Sequence, residues 1–385
     1  MTTPALTGPI LIGPLPSQSV TSGLAVCFQI LVEGWNRTRA DATIINLTGE
    51  SSVNQVSAGR IREYVSILKR VHRACKQPRN VVYLTMAQSM RGFVRDAIII
   101  RLARARGHDV VLHLNGGNYA RFYGESPVWF KGLIRSHLRK VRTIIVVSER
   151  FLQMFDFDPA LTPKLTVVPN ALPEEPPPDL PPKQINPLGP IRLLYLSNLI
   201  ESKGFLEVLE VVRILVNERQ LPVEAVFCGS FLANASDDIR VKSSIHAQSL
   251  FEQFVAAHRL EKSVRYLGSV SGQRKGEVLR QSHFLLLPTR YDNEAQPLAL
   301  IEALAYGLVP ITTDYRANPD MVIDKVTGHL VDWRDAKRMA DVIAEHHSNP
   351  ASFLEMSQRA RSHFQANFSR ESHLARLCRL LQPSD

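Results

Sequence analysis

The sequence lacks any apolar run that approaches the roughly 20 residues needed to cross a bilayer. Its opening, MTTPALTGPI, contains no basic region, and the first Lys or Arg is Arg37, so no secretory signal peptide is predicted. Cysteine is scarce, and its four positions lie far apart without paired metal-ligand spacing. These absences predict a cytoplasmic protein with free, buried thiols. The cysteines are Cys27, Cys75, Cys228 and Cys378.

Internal repeats are also lacking, and we find no zinc finger, aromatic RNA-binding signature or other nucleic-acid module. The chain nevertheless carries 46 Lys and Arg against 36 Asp and Glu, a formal net charge of +10. This excess predicts an anionic partner such as a lipid headgroup or a phosphorylated substrate. Without a recognisable module, no nucleic-acid partner is expected. The basic residues concentrate in residues 60–79, 91–106 and 131–142.

Residues 129–142, WFKGLIRSHLRKVR, mix apolar side chains with five basic ones. One interpretation is a surface that contacts an anionic membrane, because apolar groups can enter the headgroup region while basic groups meet lipid phosphates. The other is an ordinary solvated helix. Both interpretations fit the pattern. The apolar positions are Trp129, Phe130, Leu133, Ile134, Leu138 and Val141.

The length of 385 residues exceeds the size at which a single core stops growing, so two domains are expected, and a hydrophobic content of 45% can fill both. Proline dominates residues 173–190, which therefore favour a semi-rigid connector. The predicted division is a first domain at 1–172, the connector at 173–190, a second domain at 191–365 and a C-terminal helix at 366–385.

Short apolar runs alternate with helical patterns on both sides of the connector, which predicts an α/β fold with two doubly wound parallel sheets of the Rossmann type. The strand candidates of the first domain are residues 9–12, 81–84, 110–114 and 144–147, and those of the second are 191–196, 223–228, 264–267, 284–287 and 309–312. Helices are predicted near residues 203–219, 244–258 and 274–281.

The most informative segment is residues 291–310, YDNEAQPLALIEALAYGLVP, in which Glu294 and Glu302 flank the start of a predicted helix. Pro297 suits the first helical position. A helix N-terminus attracts phosphate, and carboxylates accept hydrogen bonds from sugar hydroxyls, so the segment points to a nucleotide sugar. An amphipathic helix with both glutamates in water is the alternative. The strand predicted at residues 284–287 favours the first interpretation, because ligands bind at the carboxyl ends of such strands.

Residues 291–310 resemble the nucleotide-sugar signature of retaining glycosyltransferases of family four, which have the GT-B fold. Further segments follow the order of that family, namely residues 13–23, 167–170, 196–204 and 266–269. The resemblance implies transfer of a sugar from a nucleoside diphosphate sugar to an acceptor hydroxyl with retained configuration. It implies no bound cofactor and no metal, and it implies that the leaving phosphate takes the acceptor proton. It further implies that the C-terminal helix crosses back to the first domain.

The resemblance also implies residue roles on the donor side. Glu302 holds the ribose, whereas Glu294 and the backbone N–H groups of Ala295 and Gln296 address the transferred sugar. Leu298, at the helix start, is a further substrate-binding residue, and this helix start stabilises the leaving diphosphate together with Lys203. Lys203 binds the diphosphate. Asn198 stands where the family usually has arginine, so positive charge must come from elsewhere, and Arg290 is one candidate. Ala295 stands where the family often has glycine.

On the first domain, the resemblance gives Gly23 a role in close backbone approach to phosphate or acceptor, and His113 a contact with the sugar near the reacting carbon. An ordinary turn and a structural histidine are the alternatives. The triplet Asp156-Phe157-Asp158 matches a metal-binding pattern of another transferase fold. It follows a predicted helix rather than a strand, so we interpret it as incidental.

The sequence therefore predicts a glycosyltransferase for a sugar, lipid-linked or polysaccharide acceptor, acting in the cytoplasm or peripherally at the inner membrane face. Two other classes stay open. One is a GT-B hydrolase or epimerase of nucleotide sugars, and the other is a non-catalytic basic protein that binds membranes or nucleic acid. Acceptor and linkage leave no signal in the sequence.

Overall fold

The computed structural model describes residues 8–16, 23–38, 42–47, 58–78, 80–233 and 238–383. The chain divides into two compact units. Unit 1 comprises Met1–Pro173 and Arg370–Asp385, and unit 2 comprises Glu174–Ser369. Unit 1 is thus discontinuous in sequence, because its last helix follows the whole of unit 2.

Unit 1 contains a six-stranded parallel sheet with the order β2-β1-β3-β4-β5-β6. Its central strands are buried on both faces, as expected for strands rich in Val, Ile and Leu in a parallel sheet. The strands are β1 (Ile10–Gly13), β2 (Thr43–Asn46), β3 (Val81–Thr85), β4 (Asp109–Leu114), β5 (Thr143–Val146) and β6 (Leu165–Val167).

The helices of unit 1 cover both faces of this sheet. They are α1 (Gly23–Thr38), α2 (Ala58–Ala74), α3 (Met90–Ala105), α4 (Tyr119–Glu125), α5 (Val128–Leu138) and, from the C-terminus, α13 (Arg370–Leu380). Helices α1 and α13 pack together and share a core with the sheet, in which Phe28 and Trp35 meet Leu377. Helix α2 packs against α3, and α3 against α5. Right-handed crossovers place these three helices on the opposite face.

Unit 2 has a second six-stranded parallel sheet, with the order β12-β11-β10-β7-β8-β9. If β7 is counted as strand 1 and the sheet is read from β9 to β12, this is the Rossmann order 3-2-1-4-5-6. The order reverses between β7 and β10, where a ligand is expected at the carboxyl ends of the strands. The strands are β7 (Ile191–Leu196), β8 (Val223–Cys228), β9 (Val264–Gly268), β10 (Phe284–Leu287), β11 (Val309–Thr312) and β12 (His329–Leu330).

The helices of unit 2 connect and cover these strands. They are α6 (Phe205–Arg213), α7 (Ser244–Ala257), α8 (Gly272–Gln281), α9 (Leu298–Ala305), α10 (Asn318–Met321), α11 (Ala336–Ser348) and α12 (Pro350–Asn367). Helix α6 continues into one π-helical turn, Ile214–Glu218. None of the helices in the described ranges combines the length and apolar composition needed to span a bilayer.

The proline-rich connector packs onto unit 2. Arg361 of α12 donates hydrogen bonds to the carbonyl oxygens of Pro177, Pro178 and Leu180. Lys183 donates to two carbonyls in the last turn of α8, and burial lowers its pKa to about 7. These contacts fix the backbone of a segment that has no helix or strand.

All nine strands predicted from apolar runs are confirmed. Three short strands were missed, namely β2, β6 and β12. The predicted helix at residues 203–219 was too long at its start, because Glu201–Lys203 forms a separate 3-10 turn. The stretch Glu149–Phe155 is a 3-10 helix.

Candidate functional site

The loops that follow β7 and β10 contact each other at the point where the strand order of unit 2 reverses. The backbone N–H of Arg290, after β10, donates to the carbonyl of Ser202, after β7, over 2.7 Å. Thr313, after β11, donates through its hydroxyl to the carbonyl of Thr289 over 2.6 Å. Three neighbouring strand ends are therefore joined by hydrogen bonds where a ligand is expected.

Gly204 allows this close approach. Its φ of +83° lies in the left-handed region, and a Cβ at this position would stand 2.6 Å from the carbonyl oxygen of Pro288. A side chain would both strain the backbone and push the two loops apart. Because Lys203 immediately precedes Gly204, this glycine also sets where the lysine side chain begins.

Lys203 and Glu294 form an ion pair between these two loops. The Lys203 ammonium lies 3.2 Å from Oε2 of Glu294, and the two side chains are 17% and 8% exposed. The Thr289 hydroxyl donates to the same carboxylate oxygen over 3.3 Å. The ring of Tyr291 lies 4.9 Å from the ammonium. Two residues separated by some 90 positions in sequence are thus brought together as a largely buried charge pair.

Helix α9 begins at Leu298, directly after this pair. Pro297, predicted as the first helical residue, instead precedes the helix with an extended ψ of 119°. Proline restricts the residue before it towards extended backbone, so Ala295 and Gln296 form a loop that leads from Glu294 to the helix. The first amide groups of a helix have no intrahelical acceptor, and here they lie on the carboxyl side of β10. Gln296 is buried at 5% exposure, whereas Ala295 is partly exposed.

Glu302 lies within α9 and pairs with Lys275 of α8, whose ammonium is 2.5 Å from Oε1. Burial raises the pKa of Glu302, and the adjacent Lys275 opposes that rise. Lys275 was not identified from the sequence, because it lies on a strongly polar helix and meets Glu302 only through the fold. A lysine in the first turns of the helix after β9 was the one available signal.

Arg290 and Asn198 lie in the same loops but have other partners. The Arg290 guanidinium is 3.6 Å from Oε1 of Glu201, and it stacks on Trp333 with its Cζ 4.7 Å from the ring centre. Asn198 is exposed, and its Oδ1 accepts a hydrogen bond from the backbone of Ser230 over 3.3 Å. The structure thus brings Lys203 and Glu294 into contact and holds Arg290 on Glu201.

In unit 1, His113 ends β4 with its side chain in the core. Its ring is 1% exposed, Nδ1 bonds to the Tyr83 hydroxyl over 2.6 Å, and burial with nearby His373 lowers its pKa to about 3. The burial favours a structural role over contact with a sugar. Gly23 opens α1 and is exposed, and a Cβ there would meet nothing within 4 Å. Residues 17–22, within the segment of residues 13–23, lie outside the described residues.

The Asp156-Phe157-Asp158 triplet serves a structural purpose through its last residue. Both oxygens of Asp158 accept hydrogen bonds from Arg139, over 2.7 and 2.9 Å, and this bonding holds the pKa of Asp158 below its usual value. Asp158 also caps the next 3-10 helix by accepting from Ala160 N. Within the described ranges, no group of three or more His, Cys, Asp or Glu side chains is placed to hold a metal ion.

The chain is similar to known proteins both in sequence and in fold. Residues 178–363 match the family model of the glycosyl transferases of group 1. The chain is 23% identical over 197 residues to the amylovoran biosynthesis glycosyltransferase AmsK of Erwinia amylovora, covering 50% of this chain and 45% of AmsK. It is 27% identical over 199 residues to WcaL of Salmonella typhimurium, whose name assigns it to colanic acid biosynthesis, with the same coverage. The chain thus spans less than half the length of these curated relatives.

Solved structures resemble the chain over nearly its whole length. Crystal structures of HepE of Anabaena with UDP and with UDP-glucose have TM-scores of 0.68 and 0.67 at 14% identity, covering 97% of this chain and 99% of HepE. At this identity the likeness concerns the fold, and it confirms the predicted α/β class, GT-B with two Rossmann-like doubly wound parallel sheets. Over residues 178–363, slightly less than half of its length, the chain is similar to the glycosyl transferases of group 1.

Proposed function

We propose that the protein is a retaining glycosyltransferase that moves a sugar from a nucleoside diphosphate sugar to an acceptor hydroxyl in cell-surface polysaccharide or glycolipid biosynthesis. The observation that carries the proposal is the pair of Lys203 and Glu294, 3.2 Å apart at the strand-order reversal and directly before α9. A cation, a carboxylate and a helix N-terminus together match the diphosphate and the hydroxyls of one donor. The names of AmsK and WcaL support the polysaccharide context.

In the proposed reaction, negative charge grows on the diphosphate as the bond to the anomeric carbon breaks. Lys203 and the first amides of α9, including that of Leu298, stabilise that charge, which is the main catalytic contribution. Glu294 and the amides of Ala295 and Gln296 position the sugar. Oε1 of Glu302 is paired with the Lys275 ammonium. The other carboxylate oxygen, Oε2, is therefore assigned to the ribose hydroxyls. The leaving phosphate takes the acceptor proton.

The remaining residue assignments rest on the family resemblance and on fewer contacts in the structure. Asn198 can donate hydrogen bonds to phosphate but adds no charge, and Arg290 would have to leave Glu201 to supply it. Gly23 is assigned to the phosphate or acceptor. His113 is assigned to the sugar near the reacting carbon only through the family resemblance, whereas the burial of its ring favours a structural role.

Lys275→Met is expected to raise the KM for the donor by about tenfold at pH 6. Without the ammonium, nothing opposes the effect of burial on the Glu302 pKa, so the carboxyl binds a proton and accepts hydrogen bonds less well. The defect should shrink as the pH rises through the elevated pKa, because the carboxylate ionises again. Initial rates from pH 6 to 9 measure this, and Lys275→Arg should restore most of the affinity. A defect independent of pH would contradict the assignment.

Transfer is expected to continue without a divalent metal, since Lys203 and the helix start supply the stabilising charge. Rates measured with about 1 mM EDTA should equal those with added Mg²⁺ or Mn²⁺ within about twofold. A loss of activity in EDTA that either metal restores would contradict this part of the proposal.

The function itself is tested by donor binding and turnover. Thermal-shift screening of UDP, GDP and ADP sugars comes first, because a ligand at a hundredfold its dissociation constant stabilises by about 2.7 kcal/mol. UDP-glucose is the first donor to test because HepE binds it. A donor that raises the melting temperature is then incubated with and without acceptor saccharides. The anomeric configuration of the product is determined by NMR. Rapid donor turnover without acceptor, or an inverted product, would overturn the proposal.

The acceptor is proposed to be a sugar, a lipid-linked saccharide or a growing polysaccharide. We place the protein in the cytoplasm, with peripheral contact to an anionic membrane at its inner face. The segment of residues 129–142 supports this placement, because Trp129 is 68% exposed at the start of α5 beside the partly exposed Lys131.

A further inference from the structure

A buried carboxylate lies two residues before Lys203 and has no part in the proposed reaction. It belongs to Glu201, whose side chain is 2% exposed in the 3-10 turn Glu201–Lys203. A buried charge is costly unless close hydrogen bonds and a counter-charge replace its water, and well-packed apolar residues often serve stability equally well. Stability alone therefore does not explain the presence of this carboxylate.

One oxygen of the Glu201 carboxylate is bound by three successive amides of the loop after β8. The backbone N–H groups of Ile239, Arg240 and Val241 donate to Oε2 over 3.0, 2.6 and 2.8 Å. Successive backbone N–H groups that converge in this way form an anion-binding concavity. Here the anion is a side chain of the same protein, so the loop after β8 is tied to the turn after β7.

The other oxygen, Oε1, is bound by guanidinium groups from two loops. Nε of Arg240 donates to it over 3.1 Å, and Nη2 of Arg290, in the loop after β10, lies 3.6 Å away. Burial alone would raise the pKa of Glu201, but the hydrogen bonds from Val241 and Arg240 outweigh burial and hold this pKa below its usual value. The ionised carboxylate thus joins the loops that follow both neighbours of β7.

The backbone of Ser202, immediately before Lys203, is bound by the same two loops. Its N–H donates to Oδ1 of Asp238 over 3.4 Å, and its carbonyl accepts from the N–H of Arg290 over 2.7 Å. On the other side of Lys203, Gly204 packs closely against the loop after β10. The backbone of Lys203 is therefore fixed on both sides, and its position depends on these loops.

Arg240 extends the contacts to the first turn of α6. Its Nη2 donates to Oε1 of Glu207 over 2.9 Å, while its Nε binds Glu201. Burial raises the pKa of Glu207, and Arg240 opposes that rise. One guanidinium thus pairs with carboxylates that lie on either side of Lys203 in the sequence. We call Glu201, the Arg240 side chain and the amides of residues 239–241 the Glu201 clamp.

We propose that Glu201 is a positioning residue for Lys203, and that the Glu201 clamp makes the loop after β8 a working part of the donor site. The inference rests on the proposed function, in which Lys203 stabilises the leaving diphosphate. A cation that acts on developing charge must be placed accurately, and a displacement of about 1 Å can cost about a hundredfold in rate. Glu201 itself is assigned no contact with the sugar or the phosphate, and it acts through Lys203.

Glu201→Gln is expected to lower kcat about thirtyfold and to change the KM for the donor by less than about threefold. The amide oxygen can still accept from residues 239–241, but the NH₂ group faces Arg240 and Arg290, so the contacts of Oε1 are lost. The loss appears in kcat because Lys203 acts on charge that grows in the transition state. Steady-state kinetics with the donor identified by thermal shift measure both constants.

A double-mutant cycle with Lys203→Met separates positioning from general damage to the fold. In the Lys203→Met background, Glu201→Gln is expected to lower kcat by less than about threefold, because the group that it positions is gone. A merely structural role would make the two losses add. Additive losses would therefore overturn the proposal.

Two other variants support the cycle. The matched control is Asp158→Asn in unit 1, which also alters a buried carboxylate bound by an arginine and a backbone N–H. It should reduce stability and leave kcat within about twofold. If Glu201→Gln does not fold, Arg240→Gln gives the same test, because this side chain is 53% exposed and the three amides stay in place. It should lower kcat about fivefold, and not in the Lys203→Met background.

Hydrogen exchange tests the Glu201 clamp without turnover. The amides of residues 239–241 should exchange about tenfold faster or more in Glu201→Ala than in the wild type, and at an unchanged rate in Asp158→Asn. Exchange that does not depend on Glu201 would overturn the clamp. If exchange is as expected but no nucleotide sugar is turned over, the proposed function fails and takes the role of Lys203 with it. Additive losses in an active enzyme overturn this inference alone.

Discussion

Glu294→Ala is expected to lower kcat/KM for transfer by about a thousandfold while the protein stays folded. The carboxylate is the group assigned to the sugar hydroxyls, and losing a positioned hydrogen-bonding group in an active site costs about 10²–10³ in rate. Lys203 would also lose its partner at 3.2 Å and adopt new positions. Steady-state kinetics with the donor identified by thermal shift measure the loss, and a circular dichroism melt checks the fold.

Two further variants make this result specific. Glu294→Gln keeps the size of the side chain and removes its charge, so a comparable loss would assign the effect to the carboxylate. Glu277→Gln, on the exposed side of α8, removes a charge from the same unit and should leave the rate within about twofold. Full activity in Glu294→Ala would contradict the role assigned to this residue, and with it the proposed donor site.

Gly204→Ala is expected to destabilise unit 2 by about 2–4 kcal/mol. About 1–2 kcal/mol comes from the left-handed φ of +83°, and the rest from the Cβ placed 2.6 Å from the Pro288 carbonyl oxygen. Because both loops must shift, donor affinity should fall as well. Urea denaturation followed by fluorescence measures the stability.

Gly268→Ala provides the control for backbone strain. Its φ is +67°, also left-handed, but a Cβ there meets nothing within 4 Å. The expected cost is therefore about 1–2 kcal/mol, from conformation alone. If the two variants lost equal stability, the contact between the loops after β7 and β10 would not be tight in solution.

Strands were predictable where burial dictated their sequence. Strand β10 is a run of Phe and Leu buried on both faces, so its composition marks it without knowledge of its neighbours. Strand β12 has two residues and β6 has three, and both become strands because a neighbouring strand offers hydrogen bonds. Such edge strands carry little signal of their own, since tertiary pairing rather than local propensity determines them.

The site was predictable as far as it is local. The strand, loop and helix around Glu294 could be inferred because proline and glycine mark the ends of α9. The ion pair of Lys275 with Glu302 joins two different helices, so the spacing of the two residues in the sequence does not predict it. His113 shows the opposite limit. It shares the side of β4 that faces α1 and α13, so a helix from the other end of the chain, with His373, buries a residue whose position in the sequence indicated a strand end.

The discontinuity of unit 1 bears on how the chain matures during synthesis. Leu377 and Leu381 belong to the same apolar cluster as Phe28 and Trp35, yet the ribosome makes them after the whole of unit 2. Unit 2 is continuous and can fold as soon as it emerges. The core of unit 1 cannot be completed until residues 370–385 have been synthesised. A nascent chain stalled before Arg370 should therefore expose its first sheet to chaperones, although unit 2 is already folded.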